Sequence, residues 1–330
     1  MSTYQPFPAK YTFEGMVQTR AIRRNAACIF VAVTAWLLLR SLLPNILLSG
    51  ATMMMTAARV QISQETAMLI YNAVDILSTV ISMAVPFFVM MRVIDIPTRI
   101  ALPFGRIRSG FNIGSLFIAL AASTVGVYTG SAMSSAAASL GFSPRLPQVD
   151  TPTDLQTGIW YTLIMVIVPA FLEEMVFRGA ILQPLRRFGD GFAIVVSSVL
   201  FSLSHLNLYQ IPNAFIMGLL MGYFVVRSGS LWAGIIIHFV NNGVAALFEY
   251  FSGLVTPFGG YLMSYLLYIV YLGAGIAALI VTARRSPKLF MLYSKDGALT
   301  LSERYRCYFT SASTVILLLV LLILTLYSMI

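Results

Sequence analysis

The chain has 330 residues, of which 58% are hydrophobic and 10% charged. That balance excludes an ordinary soluble globular domain and indicates an all-α, polytopic transmembrane helix bundle with little mass outside the membrane. The formal net charge of +9 is accounted for by the excess of Lys and Arg in the cytoplasmic loops of membrane proteins, so no nucleic-acid partner is inferred.

Residues 1–25 are polar and basic and read as a cytoplasmic N-terminal tail. Residues 26–330 read as one transmembrane domain. The first apolar run is too long for a signal-peptide core and no clean small-residue cleavage signal follows it, which predicts a retained span. A span needs roughly 20 mostly apolar residues. The runs that qualify are 26–49, 66–91, 113–133, 158–182, 190–206, 211–226, 231–252, 259–282 and 312–330. The predicted count is therefore about nine, with eight as the near alternative. Arg40 and Asp75 lie at similar depth in the first two spans and are expected to pair. Cys28 in the first span and Cys307 in a basic loop have no evident partner, so neither a disulfide nor a metal is expected there. The arginine-rich loop 92–112 and the basic loop 283–311 are expected on the inner leaflet.

Two features of this series matter for the site. With nine spans and the N-terminus inside, 17 of the 21 basic residues fall in inner loops, while Arg59 and Arg145 fall outside and Arg40 and Arg178 lie in spans. That asymmetry supports the predicted orientation. The arms of 190–226 are short. About 16 residues make roughly 24 Å of helix, less than the ~30 Å hydrocarbon core, so a tilted hairpin, a thin region or a re-entrant pair is expected.

Three polar motifs interrupt the apolar spans: Phe171-Leu-Glu173-Glu174-Met-Val-Phe-Arg178, Phe201-Ser-Leu-Ser-His205, and His238-Phe-Val-Asn-Asn242. They use both histidines of the chain. Ionisable groups are costly inside a bilayer and mark function by default. Residues four apart share a helix face, so Arg178 is placed to pair with Glu174, leaving Glu173 on a neighbouring face. That divides the acids into a structural Glu174–Arg178 pair and a catalytic Glu173. Partial desolvation makes a carboxylate a better general base. His238 and Asn242 are also four apart, and together they suit an oxyanion hole. His205 is then free to help Glu173 deprotonate a water. The alternative is a catalytic zinc on Glu173, His205 and His238, with water in the fourth position, although no HExxH motif is present. The leading reading needs no cofactor. Phe201 is expected to be a packing residue.

With these motifs the chain resembles the CAAX-protease and bacteriocin-processing family of intramembrane proteases, which includes the type II CAAX prenyl endopeptidases and some abortive-infection proteins. Glu173, Glu174 and Arg178 match that family's Glu-Glu-xxx-Arg motif. Phe201 and His205 match its Phe-xxx-His motif, and His238 and Asn242 match its third motif, which reads His-xxx-Asn or His-xxx-Asp. The lead-in Gly229-Ser230-Leu231-Trp232-Ala233-Gly234 is also similar, and the likeness covers about 158–250. The resemblance implies an intramembrane endopeptidase acting on a membrane-associated protein or peptide, prenylated or not. It implies a water activated by Glu173 and assisted by His205, with His238 and Asn242 as the oxyanion hole, and it leaves a metallo-type mechanism open. The membrane in question is expected to be the cell membrane, with lipid and a peptide or protein substrate as partners. A non-enzymatic scaffold or immunity factor keeping the same fold is the competing reading. A proton-coupled transporter ranks below it, since no inverted repeat is evident. A serine mechanism is disfavoured because Ser204 adjoins His205 on a different helix face.

Overall fold

In lipid a long apolar segment must satisfy its backbone internally, and the helix does so within one segment. The computed structural model describes residues 12–108, 110–144, 152, 154–286, 291–292 and 297–330, and among these every regular element is helical. Residues 1–11 of the expected tail, and Lys10, Arg145, Lys288 and Lys295 of the charge pattern, lie outside the described residues.

Helix α1 runs Phe13–Ala57, with Thr12 Oγ1 accepting from the Gly15 N–H at its start. Helix α2 runs Gln64–Ile94, capped by Ser63, and α3 runs Ile113–Ser139. Next comes α4, Leu155–Phe188, which is irregular along its length. Then follow α5 (Asp190–Leu203), α6 (Gln210–Ser228), α7 (Leu231–Gly253) and α8 (Pro257–Arg285). The last two, α9 (Leu301–Phe309) and α10 (Ala312–Tyr327), meet at a 66° bend.

Seven of these helices are long and apolar enough to cross a membrane, or eight if the bent α9–α10 pair crosses as one. The protein is thus a multi-pass membrane bundle; among the described residues the expected alternative of eight matches the upper count and nine exceeds it by one. The missing crossing is the expected fifth. Helix α5 has 14 residues, roughly 21 Å at 1.5 Å per residue, well short of a ~30 Å core. Its start is fixed by an ion pair between Arg186 and Asp190 at 2.7 Å.

Helices α1 and α2 pack as a pair, and their expected charge pair is present, with Arg40 Nη1 2.8 Å from Asp75 Oδ1. Helix α3 packs between α8 and α6, and α5 against α6. Small residues let backbones approach where two membrane helices cross closely. A Cβ at Gly126 would collide with Asn213, and one at Gly130 with the Tyr209 carbonyl, so these glycines seat the start of α6 on α3.

The two basic loops are held by the protein itself. Leu231 N–H donates to the Pro103 carbonyl at 2.9 Å, and Arg108 N–H to the Ser228 carbonyl at 3.2 Å. Ser230 Oγ donates to the Gly105 carbonyl. The 92–112 loop is therefore stapled to the turn before α7. In the second loop, Arg304 is buried. It donates to the Leu299 carbonyl at 2.9 Å and the Phe188 carbonyl at 2.7 Å, tying α9 to the end of α4.

Candidate active site

Helix α4 departs from α-geometry in two wide, π-helical stretches, Leu163–Ile167 and Glu174–Ile181, separated by Val168–Glu173. Such stretches rearrange the backbone ladder and leave carbonyls for other partners. Pro169 lacks the N–H that an α-helix would give to the Met165 carbonyl. Asn242 on α7 supplies that donor, its Nδ2 lying 3.1 Å from Met165 O. In the second stretch Ser197 Oγ donates to the Phe177 carbonyl at 2.7 Å, and Gln183 Nε2 to the Arg178 carbonyl at 3.0 Å.

The second stretch begins at the paired glutamates, and the structure separates them by environment. Glu174 is fully buried, with its side chain 0% exposed, while that of Glu173 is 23% exposed. Glu174 Oε1 meets Arg178 Nη1 at 2.8 Å and His238 Nδ1 at 3.1 Å. A carboxylate beside Arg178 acts as an acceptor, so His238 Nδ1 carries the proton in that bond. The other ring nitrogen, Nε2, then points to Glu173 Oε2 at 3.8 Å. Adjacent glutamates about 100° apart were expected not to serve one point. They do reach one residue, because the imidazole extends between them and offers a different nitrogen to each.

Arg178 is buried as deeply as Glu174. Its guanidinium lies over the Phe201 ring, 4.2 Å from the centroid, so a cation–π contact on one side complements the ion pair on the other. Phe201 is the packing residue expected, and it connects the motifs. Its ring meets those of Phe177 at 5.1 Å, His205 at 4.9 Å and His238 at 6.0 Å. Gly234, in the motif lead-in, is also explained. A Cβ there would collide with Glu174 Oε2 and with Val225, so only glycine admits the buried carboxylate.

His205 stands just past the end of α5. Its Nδ1 lies 2.9 Å from the Phe201 carbonyl. A carbonyl only accepts, so Nδ1 is the donor and Nε2 holds the lone pair of the neutral ring. Leu206, the next residue, takes a left-handed conformation at φ 52°. This turns the chain sharply, and Ser328 after α10 donates to the Leu206 carbonyl at 3.0 Å. The shortness of α5 brings His205 to the same cavity as Glu173, which a full crossing would not.

Glu173, His205, His238 and Asn242 all line one cavity of about 350 Å³. Among the described residues no group of three His, Cys, Asp or Glu side chains is arranged to hold a metal ion. Glu173, His205 and His238 share the cavity without converging into a ligand set.

Several lining residues escaped the sequence reading. Tyr161 on α4 donates its hydroxyl to Glu249 Oε2 on α7 at 2.8 Å, and both line the cavity, as do Gln210 and Asn213. A signal for Glu249 was present. It is an acid within a predicted span, seven residues beyond Asn242 and eleven beyond His238, on the same helical stripe.

Comparison with known proteins agrees with the motifs. The family model described as type II CAAX prenyl endopeptidase Rce1-like matches residues 155–244. That segment begins with α4 and ends just past Asn242, so it holds all three motifs. No curated protein and no solved structure matches the chain.

Proposed function

We propose, from the match of residues 155–244 to the type II CAAX prenyl endopeptidase Rce1-like model, that the protein is an intramembrane endopeptidase that cleaves a peptide bond of a membrane-associated protein or peptide with a water activated by Glu173. The observation that carries the reading is the shared cavity, in which the part-buried Glu173 lies 3.8 Å from His238 Nε2 and shares the lining with His205 and Asn242. Glu173 is the general base. His205 assists it through Nε2, the nitrogen left free by the Phe201 carbonyl.

The oxyanion is received from the other side. His238 is fixed by Glu174 through Nδ1, and when doubly protonated it donates Nε2–H into the cavity. Asn242 uses one amide hydrogen on Met165 and has a second to donate. The Asn242 donor is in place before the reaction and stabilises a developing oxyanion without reorganising, while His238 joins it on taking a second proton at Nε2. Glu174 and Arg178 act as positioning residues through His238. The basic loops support a cytoplasmic N-terminus, and we place the protein in the cell membrane. A prenylated CAAX protein and a leader peptide are the two substrate types that the family assignment suggests.

The test is mass spectrometry of peptides from membranes and medium of cells expressing wild type or Glu173→Gln at equal levels. New termini present only with the wild type are the expected result. Matching profiles would overturn the protease reading in favour of a scaffold keeping the fold.

A further inference from the structure

Beyond the candidate active site lies a second cavity of about 480 Å³. The two share a wall made of Gln210, Asn213, Asn241, Asn242, Ala245 and Glu249. The far side of the second cavity carries Ser123, Thr124, Ser252, Tyr268 and Tyr271. A polar chamber inside a membrane bundle has to be filled by water or by a polar group of a ligand. Among the described residues no Lys or Arg lines either cavity, while Glu173 lines the first and Glu249 lines both.

Glu249 is the ionisable group on the shared wall. An acid within a membrane span pairs with a cation or serves a function. Its one side-chain partner among the described residues is the neutral hydroxyl of Tyr161, on Oε2. That contact orients the carboxylate and leaves its charge unpaired. Glu249 also sits at a defined distance from the chemistry. Seven residues of α7 separate it from Asn242, roughly 10 Å along the helix, which is about three residues of extended peptide.

Resting on the protease reading and deepening it, we propose that Glu249 is a specificity-determining residue that binds a cationic group of the substrate, a Lys or Arg side chain or a free amine, about three residues from the scissile bond. Tyr161 is its positioning residue. A carboxylate meeting an ammonium or guanidinium forms the stronger, charge-assisted type of hydrogen bond. The acidic lining of the joined cavities selects against an anionic residue at the same position.

The test reads binding first, so that it does not depend on turnover. Detergent-solubilised full-length protein carrying Glu173→Gln is incubated with a random peptide library in N-acetylated and free-amine forms, and retained peptides are sequenced. The same is done with Glu249→Gln added. Glutamine keeps an acceptor for the Tyr161 hydroxyl, so the pair should match in thermal stability. The expected result is on the order of tenfold enrichment of cationic peptides, lost with Glu249→Gln and replaced by acidic enrichment with Glu249→Lys. Enrichment within the acetylated pool identifies a side chain as the cation, and enrichment confined to free-amine peptides identifies the terminus. Equal retention of cationic and neutral peptides, or cationic enrichment that survives Glu249→Gln, overturns the proposal. Cleavage of the same library by protein with Glu173 intact is scored separately. A failure of the protease reading therefore shows as no cleavage, whatever the retention.

Discussion

Glu174 Oε1 lies 3.1 Å from His238 Nδ1, and the same oxygen lies 2.8 Å from Arg178. One buried carboxylate thus neutralises a buried cation and fixes the tautomer and direction of a ring whose far nitrogen faces the cavity. The neighbouring Glu173 lines the cavity instead. Adjacent residues of the same type differ in environment because one is enclosed and paired while the other borders open space.

This division predicts opposite phenotypes for the two isosteric variants. Glu174→Gln leaves Arg178 buried without its counter-charge, and breaking a buried pair costs about 3–5 kcal/mol. Its thermal unfolding in detergent should shift far below wild type. Glu173→Gln should unfold within about 1 kcal/mol of wild type and be inactive. Equal stabilities for the two variants would refute the assignment.

Gly234→Ala should reproduce part of the Glu174 defect without touching a charge. The added methyl meets Glu174 Oε2 and Val225, and overpacking of this kind costs about 1–3 kcal/mol. Membrane expression and unfolding temperature would both fall. A stable, fully active Gly234→Ala protein would mean that the carboxylate has room to move.

Asn242→Ala should lower kcat on the order of 10² to 10³-fold, the range for loss of one oxyanion donor, with a smaller change in KM. Activity of Asn242→Ala near wild type would remove the residue from the oxyanion hole.

Arg40 and Asp75 should be interchangeable as a pair. Arg40→Asp and Asp75→Arg each place two like charges together between α1 and α2 and should reduce the protein in the membrane. The double exchange should restore it. Absence of rescue, read by quantitative blotting, would show that the 2.8 Å contact adds nothing to stability.

A zinc chelator should leave cleavage unchanged, because Glu173, His205 and His238 do not gather into a ligand set. Loss of activity on chelation, restored by added zinc, would replace the glutamate-type mechanism with a metallo-type one.

Some of this site was legible from helical spacing alone. The interval of four predicted Glu174 with Arg178 and gave His238 and Asn242 a common face. Matching depth in the first two spans predicted Arg40 with Asp75. These are consequences of one helix or of two neighbouring helices of known direction. Glu249 escaped although it lies on the stripe of His238 and Asn242, because an acid near a span end reads equally well as solvated. Tyr161 carried no signal, since its partner sits 88 positions away.

The sequence by itself determined a membrane bundle and the three polar motifs within it, since apolar length and ionisable rarity are properties of the chain alone. Only the tertiary structure decided which glutamate is buried, that His238 lies between the two, and that Asn242 answers the carbonyl freed by Pro169. Those outcomes depend on how α4 widens at Glu174 and how α7 rotates against it. Helical periodicity is blind to both, because packing between helices sets the rotation and local hydrogen bonding sets the width.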